Sequence, residues 1–465
     1  MGVAVSNWEL ARAVSLCGEL GVVSGTALDT VLVRRLQDGD PGGHMRRAMS
    51  QFPIADVAPS VLEKFFLQDG RAAGQPYKLL PMYRQQVSRE RQRITVLANF
   101  VEVFLAKEGH GGLVGLNLLT KVQMPNLASL YGAMLAGVDY VLMGAGIPRE
   151  IPGALDSLSR HEAASIRFDV EGAPSSDPSS LSFDPQSIGA DTSIPLTRPA
   201  FLPIISANSL ATTLARKATG SVQGFVVEGP TAGGHNAPPR GEMKLNERGE
   251  PIYGERDVVD LDRLKELGLP FWLAGGSGSP ARLAEALNAG AAGIQVGTLF
   301  AYCDESGFES HLKQDVLDHA ARGEVEVITD PRASPTGYPF KVVQWPGDES
   351  ATHTRERKCD LGYLRIAFKR EDGRVDYRCA AEPVADYVRK GGRESDTVGR
   401  KCLCNALTSN IGQPQVRTGS MDEPPLLTSG DDLTSIAAFL RGRSSYAAAD
   451  VIDYLLSDSL SPARA

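Results

Sequence analysis

The sequence predicts an α/β fold: a (β/α)8 TIM-type barrel that lacks or truncates its first strand and carries a C-terminal, Cys-bearing helical and irregular extension. Three observations predict it. Short β-rich apolar runs alternate with segments of helical periodicity from the N-terminus to about residue 325, the pattern of parallel βα units. Glycine-rich turns follow several of those runs, at the strand ends where barrel active sites are built. The chain of 465 residues, 42% hydrophobic and 22% charged, has ordinary globular composition with room for one barrel and appendages.

The elements follow in order. Trp8 to Leu20 reads as helix and Gly21-Val22-Val23-Ser24-Gly25 as a strand running into a loop. An Arg-rich helical stretch spans Arg34 to Phe66, inside an expected helical insertion over 34–94. Thr95 to Lys107 is helical, Gly112 to Leu119 a buried strand, Asn126 to Ala136 a helix and Val138 to Gly144 a strand. A Ser/Pro/Asp-rich loop around Gly172 to Pro195 precedes the strand Phe201 to Ser206, the helix Ser209 to Ala218 and the strand Gly224 to Glu228. Phe271 to Ala274 and Gly293 to Val296 are strands flanking the helix Pro280 to Ala289. This gives seven strands, one short of a closed barrel. The opening Gly2-Val3-Ala4-Val5-Ser6 reads like the loop after a strand, and a start at an internal Met would account for the missing one. The expected division is a barrel over 1–325, a Cys-bearing extension over 326–425 and an amphipathic helical tail over 426–465.

Composition narrows the function classes. Lys plus Arg is 48 against 56 Asp plus Glu, a net charge of −8, which disfavours nucleic acid as the main partner. No basic, apolar leader opens the chain, and the longest charge-free run, Ala286 to Cys303, is broken by glycines, so no membrane partner is expected. Gly2 and Ser6 match the permissive myristoylation pattern without further support. Six cysteines in a chain of this size fit a reducing compartment, with the cytoplasm as the default.

Strand position sorts the candidate chemistry. Glu228-Gly229-Pro230-Thr231-Ala232-Gly233-Gly234-His235-Asn236 follows a strand directly; its glycines let backbone approach a ligand, and His235 can exchange a proton near neutral pH. His44 precedes an Arg-rich helix and His110 lies at the opposite end of the barrel. Ala274-Gly275-Gly276-Ser277-Gly278-Ser279-Pro280 leads into a helix with Ser279 as N-cap, and Gln295-Val296-Gly297-Thr298 closes the next strand. Bare N–H groups in two consecutive turns suit a phosphate monoester, in the position where many barrels bind one.

Together with Gly2-Val3-Ala4-Val5-Ser6-Asn7-Trp8 and Gly115-Leu116-Asn117-Leu118-Leu119, these motifs resemble the nitronate monooxygenase (2-nitropropane dioxygenase-like) family. The resemblance is nearest to the branch containing enoyl reductases of polyunsaturated fatty acid and polyketide synthases. It implies an FMN-dependent oxidoreductase. Gly275, Gly276, Gly297 and Thr298 would hold the FMN phosphate, Asn117 and Gln295 the flavin or its ribityl chain, and Gly233 and Gly234 would pack against the cofactor. His235 takes the place of the family's active-site His. The implied reaction is oxidation of alkyl nitronates to carbonyl compounds and nitrite with O2, the alternative NAD(P)H-dependent reduction of an enoyl thioester. The implied partner is a small-molecule or acyl-thioester substrate, free or carrier-protein-bound, and a homodimer is compatible. A flavin-free barrel of the inosine-monophosphate-dehydrogenase type, with Cys303 as nucleophile, and a non-catalytic scaffold are the competing readings.

Cys359, Cys379, Cys402 and Cys404 stand apart from the barrel motifs. Four thiolates could bind zinc or ligate an iron–sulfur cluster, although the spacing is not that of a zinc ribbon, and buried small apolar side chains are the alternative. Cys17 reads as core. Arg46-Arg47 and Arg89 to Arg93 read as solvated helix faces or as a site for a phosphorylated carrier.

Overall fold

The computed structural model describes residues 2–174, 176, 179–348, 356–417 and 422–457. All seven expected barrel strands are present: β1 (Gly21–Ser24), β2 (Val114–Leu119), β3 (Tyr140–Gly144), β4 (Ala200–Ile205), β5 (Phe225–Glu228), β6 (Phe271–Ala274) and β7 (Gly293–Gln295). They form one curled sheet in sequence order, each paired in parallel with the next. The connecting helices explain the direction: a parallel pair needs a crossover, and a helix supplies it. α1 (Trp8–Leu16) is capped by Asn7, whose side chain accepts the Leu10 N–H at 2.9 Å. α2 (Leu28–Gln37) and α3 (Arg89–Lys107) follow β1, and α4 (Gln123–Leu135) links β2 to β3. α5 (Asn208–Lys217) and α6 (Pro280–Asn288) follow β4 and β6. α3 begins earlier than its apolar periodicity predicts because Ser88 caps it at the Arg91 N–H.

The sheet does not close: β7 and β1 are its two ends. The edge of β1 is met instead by Ser6, whose carbonyl accepts the Ser24 N–H at 2.9 Å and whose hydroxyl donates to the Val22 carbonyl at 2.5 Å. Met1 lies outside the described residues. Register places the functional strand ends level: Ser24 pairs with Asn117, Asn117 with Leu142, and Glu228 with Ala274, which pairs with Gln295.

Elsewhere the chain departs from the sequence expectations. The Arg-rich stretch is not one helix. α2 gives way to a short 3-10 turn and helices His44–Met49 and Val57–Phe65, because Gly39, Gly42 and Gly43 take positive φ. The polar region after β3 is not only loop, since Ala164–Arg167 pairs antiparallel with Ser180–Phe183. Beyond 325, β8 (Glu326–Asp330) and β9 (Phe340–Gln344) form an antiparallel pair. The tail is not one amphipathic helix. Ile436–Leu440 stops where Arg441 and Gly442 have φ of 49° and 84°, and α7 (Ala448–Leu456) follows; 458–465 lie outside the described residues. Cys17 sits exposed at the C-cap of α1 rather than in the core. Among the described residues no helix is long and apolar enough to cross a membrane.

Candidate active site

Two adjoining cavities open at the C-terminal ends of the barrel strands. A mouth cavity of about 100 Å3 is lined by Asn117, Gly233, Gly234, His235 and Gln295, together with Tyr363, Leu403 and Cys404 from beyond the barrel. A larger one of about 530 Å3 runs past Gly275, Gly276, Gly297 and Thr298 into the apolar barrel interior, against Leu142, Leu202, Val226 and Trp272. Glu228, Gly233, Gly234 and Gln295 line both. The nine barrel residues singled out from sequence thus converge on one connected space, of a size usual for small-molecule sites (about 300–1,000 Å3).

His235 leaves the Gly-Gly turn after β5 and is stitched to the hairpin. Its backbone bridges to Phe340 of β9, and its ring meets the Phe340 ring edge-on at 4.8 Å. Nε2 lies 2.7 Å from Ser334 Oγ, which is itself 2.7 Å from Thr336 Oγ1; among the described residues Nδ1 has no hydrogen-bond partner. Burial holds the imidazole well below the usual histidine range, and the Lys121 charge pushes the same way. The ring is therefore neutral at neutral pH, the form a general base needs.

The turns at the far end suit a phosphate, with one complication. The turn after β6 leads into the N-terminus of α6, where Ser279 caps the Arg282 N–H and Pro280 opens the helix. Gly275 has φ of 89°, and a side chain there would lie 2.8 Å from the Ala232 nitrogen, so only glycine satisfies this turn. The Gly278 N–H already donates to a carboxylate, Asp432 Oδ2, at 3.2 Å. Asp432 arrives with Thr428–Gly430, which crosses the glycine loop: Gly234 donates to Thr428 Oγ1 at 2.8 Å, and Gly430 donates to Thr298 Oγ1 at 3.1 Å. Burial raises the Asp432 carboxyl above its ordinary value. These turns present backbone N–H groups and the N-terminus of α6 to the larger cavity, with the Asp432 carboxyl beside them.

Sequence reasoning missed four contributors. Glu228, quoted at the head of the glycine loop but given no role, faces both cavities. Burial pushes its carboxyl up to about 7, against the pull of nearby positive charge that includes Lys121. Lys121 follows the end of β2; burial draws it down to about 7, and its Nζ lies buried without a hydrogen-bond partner, 4.7 Å from the Tyr338 ring centroid. Their position at strand ends was a signal that could have found both. Ser334 and Asp432 had no such signal, because the chain's return to the barrel brings them there.

The tetrathiolate expectation is not met. Cys379 and Cys402 pack with Ala381 and Cys404 in an apolar cluster, and among the described residues no group of three or more His, Cys, Asp or Glu is arranged to hold a metal ion. Burial pushes Cys359 up to about 12 and raises Cys379 and Cys404 as well, so these are neutral thiols. Cys303 is also buried and raised by burial, its Sγ 3.2 Å from the Phe300 carbonyl, which removes it as a nucleophile. The arginines are not uniformly solvated. Arg47 pairs with Glu108 at 2.9 Å near the surface, whereas Arg91 is buried against Asp29 at 2.9 Å.

Residues 190–331 match the family model described as nitronate monooxygenase. No curated protein matches the chain. Among solved structures, FabK from Thermotoga maritima is 13% identical with a TM-score of 0.46, the match covering 97% of this chain and 88% of that one. Nitroalkane oxidase from Streptomyces ansochromogenes is 15% identical with a TM-score of 0.44, covering 98% and 93%. The enoyl reductase domain of MlnA, from the macrolactin biosynthesis cluster of Bacillus amyloliquefaciens, is 10% identical with a TM-score of 0.46, covering 99% and 92%.

Proposed function

We propose that this chain, whose 190–331 region falls in the nitronate monooxygenase family, is an FMN-dependent oxidoreductase that converts alkyl nitronates to carbonyl compounds and nitrite with O2. The observation that carries the reading is the neutral, half-buried His235 placed in the same connected space as the glycine turns. In this reading Gly275, Gly276, Gly297 and Thr298 would hold the phosphate, and Asn117 and Gln295 would hydrogen-bond the flavin. When bound, FMN would supply the redox chemistry that links substrate oxidation to O2. The protein's own residues do the rest. His235 removes the α-proton of a neutral nitroalkane, and Ser334 fixes the ring so that no reorientation precedes the transfer. Leu403, Leu407 and Phe340 wall the mouth cavity and exclude water.

One observation favours a second reading. The apolar continuation of the larger cavity, past Leu142, Leu202, Val226 and Trp272, would accept an acyl chain, as reduction of an enoyl thioester requires. Turnover with nitroethane, its preformed nitronate, and NADPH plus an enoyl thioester separates the two. His235→Ala should retain bound flavin and lose nitroethane turnover by about 10²–10⁴-fold. Unchanged turnover would remove His235 from the mechanism.

A further inference from the structure

His235 can take a proton but is badly placed to keep it. Its imidazolium would be buried beside the Lys121 ammonium, and both burial and that charge oppose it. The cavity needs another group to which the proton can pass, and a second titratable side chain faces the same space. Glu228 ends β5, immediately before the glycine loop, and lines both cavities. Among the described residues it has no hydrogen-bond or ion-pair partner. A carboxyl partly withdrawn from water and left without a protein partner favours protonation or a ligand. We propose that Glu228 is a second acid–base residue of this cavity, the group that finally holds the proton taken from the bound small molecule, with Lys121 as one of the charges that favour its carboxylate.

The step is balanced. The ligand C–H bond breaks and its electron pair stays on the ligand as the nitronate. The proton passes from His235 to form an O–H bond on Glu228, and leaves to solvent before the next turnover. Every neighbouring element is consistent with this assignment. From the β2 side, Lys121 favours the carboxylate, and burial draws its own proton affinity down to about 7. From the glycine loop, His235 is neutral. From beyond the barrel, Tyr363 holds its phenol proton toward Asp29 at 2.5 Å, and burial keeps Cys404 a thiol. Glu228 itself is raised by burial to about 7 and so can exchange a proton near neutrality. Two groups in one cavity with affinities driven apart in this way form a donor–acceptor set.

The proposal rests on the nitroalkane reading above, and its test is chosen so that the two can fail separately. Flavin-loaded protein labelled with 13C at the glutamate carboxyls is titrated by NMR as wild type, Glu228→Gln and Lys121→Met. One glutamate carboxyl should titrate with a midpoint of about 7, vanish in Glu228→Gln, and move up by about one pH unit in Lys121→Met, where the favouring charge is gone. The acidic limb of kcat/KM for nitroethane should share that midpoint and disappear in Glu228→Gln. That variant should lose about tenfold or more with nitroethane and less with the preformed nitronate. If no glutamate carboxyl titrates near neutrality, or if the limb survives in Glu228→Gln, the proposal is overturned. A wild type inert toward nitroalkanes refutes the functional reading, while the carboxyl titration still decides the state of Glu228.

Discussion

Asp432 shows how one side chain can set the terms of cofactor binding. Its carboxylate accepts the Gly278 N–H, and a phosphate held by the same turn would face a like charge. Asp432→Asn should therefore tighten FMN binding by about fivefold, roughly 1 kcal/mol, and leave riboflavin, which has no phosphate, unchanged. Because burial raises the Asp432 carboxyl, wild-type affinity for FMN should improve as pH falls toward its titration, and the Asn variant should lose that dependence. Quenching of flavin fluorescence reads both, and an equal change for FMN and riboflavin would show that Asp432 acts on shape rather than charge. At this scale the sequence was only partly legible. His235 and the glycines stand in contiguous motifs at strand ends and could be read. Asp432 and Ser334 lie 154 and 99 residues along the chain from the groups they touch, and no local pattern marks them.

The strand ends and turns are where local sequence and site geometry agree most closely. All seven strands were legible, since buried parallel strands read as continuous apolar runs and each ends in glycine or a polar residue. Gly275 tests how much of the site depends on one turn. Alanine there pays about 1–2 kcal/mol for the left-handed conformation and places its Cβ 2.8 Å from the Ala232 nitrogen. Gly275→Ala should keep native far-ultraviolet circular dichroism and lose most of its bound flavin; full flavin retention would move the phosphate site elsewhere. Helix ends were less legible, because caps and glycines with positive φ decide them. Periodicity alone merged the segments from Arg34 to Phe66 and again from Leu433 to Ser457.

Across the whole molecule, buried polar contacts hold the region beyond the barrel over the strand ends. Arg91 and Asp29 pair at 2.9 Å, Tyr83 and Tyr363 both donate to the Asp29 carboxylate, and fully buried Arg34 donates to the Gln413 carbonyl at 2.6 Å. Asp29→Ala would leave Arg91 buried without its counter-charge and should cost about 3–5 kcal/mol, read as a lowered midpoint in urea; a midpoint unchanged within error would mean that the network carries no stability. None of this was legible beforehand, because a buried ion pair between α2 and α3, closed by Tyr363 from beyond the barrel, depends on the folded chain. The same closure builds the mouth cavity, which adjoins the larger space proposed to hold FMN. The most direct test is a visible absorption spectrum of the purified protein, followed by chromatography of the released chromophore. A flavin spectrum and FMN in near-stoichiometric amount are expected. Protein that stays colourless and takes up no flavin from excess FMN would contradict that proposal.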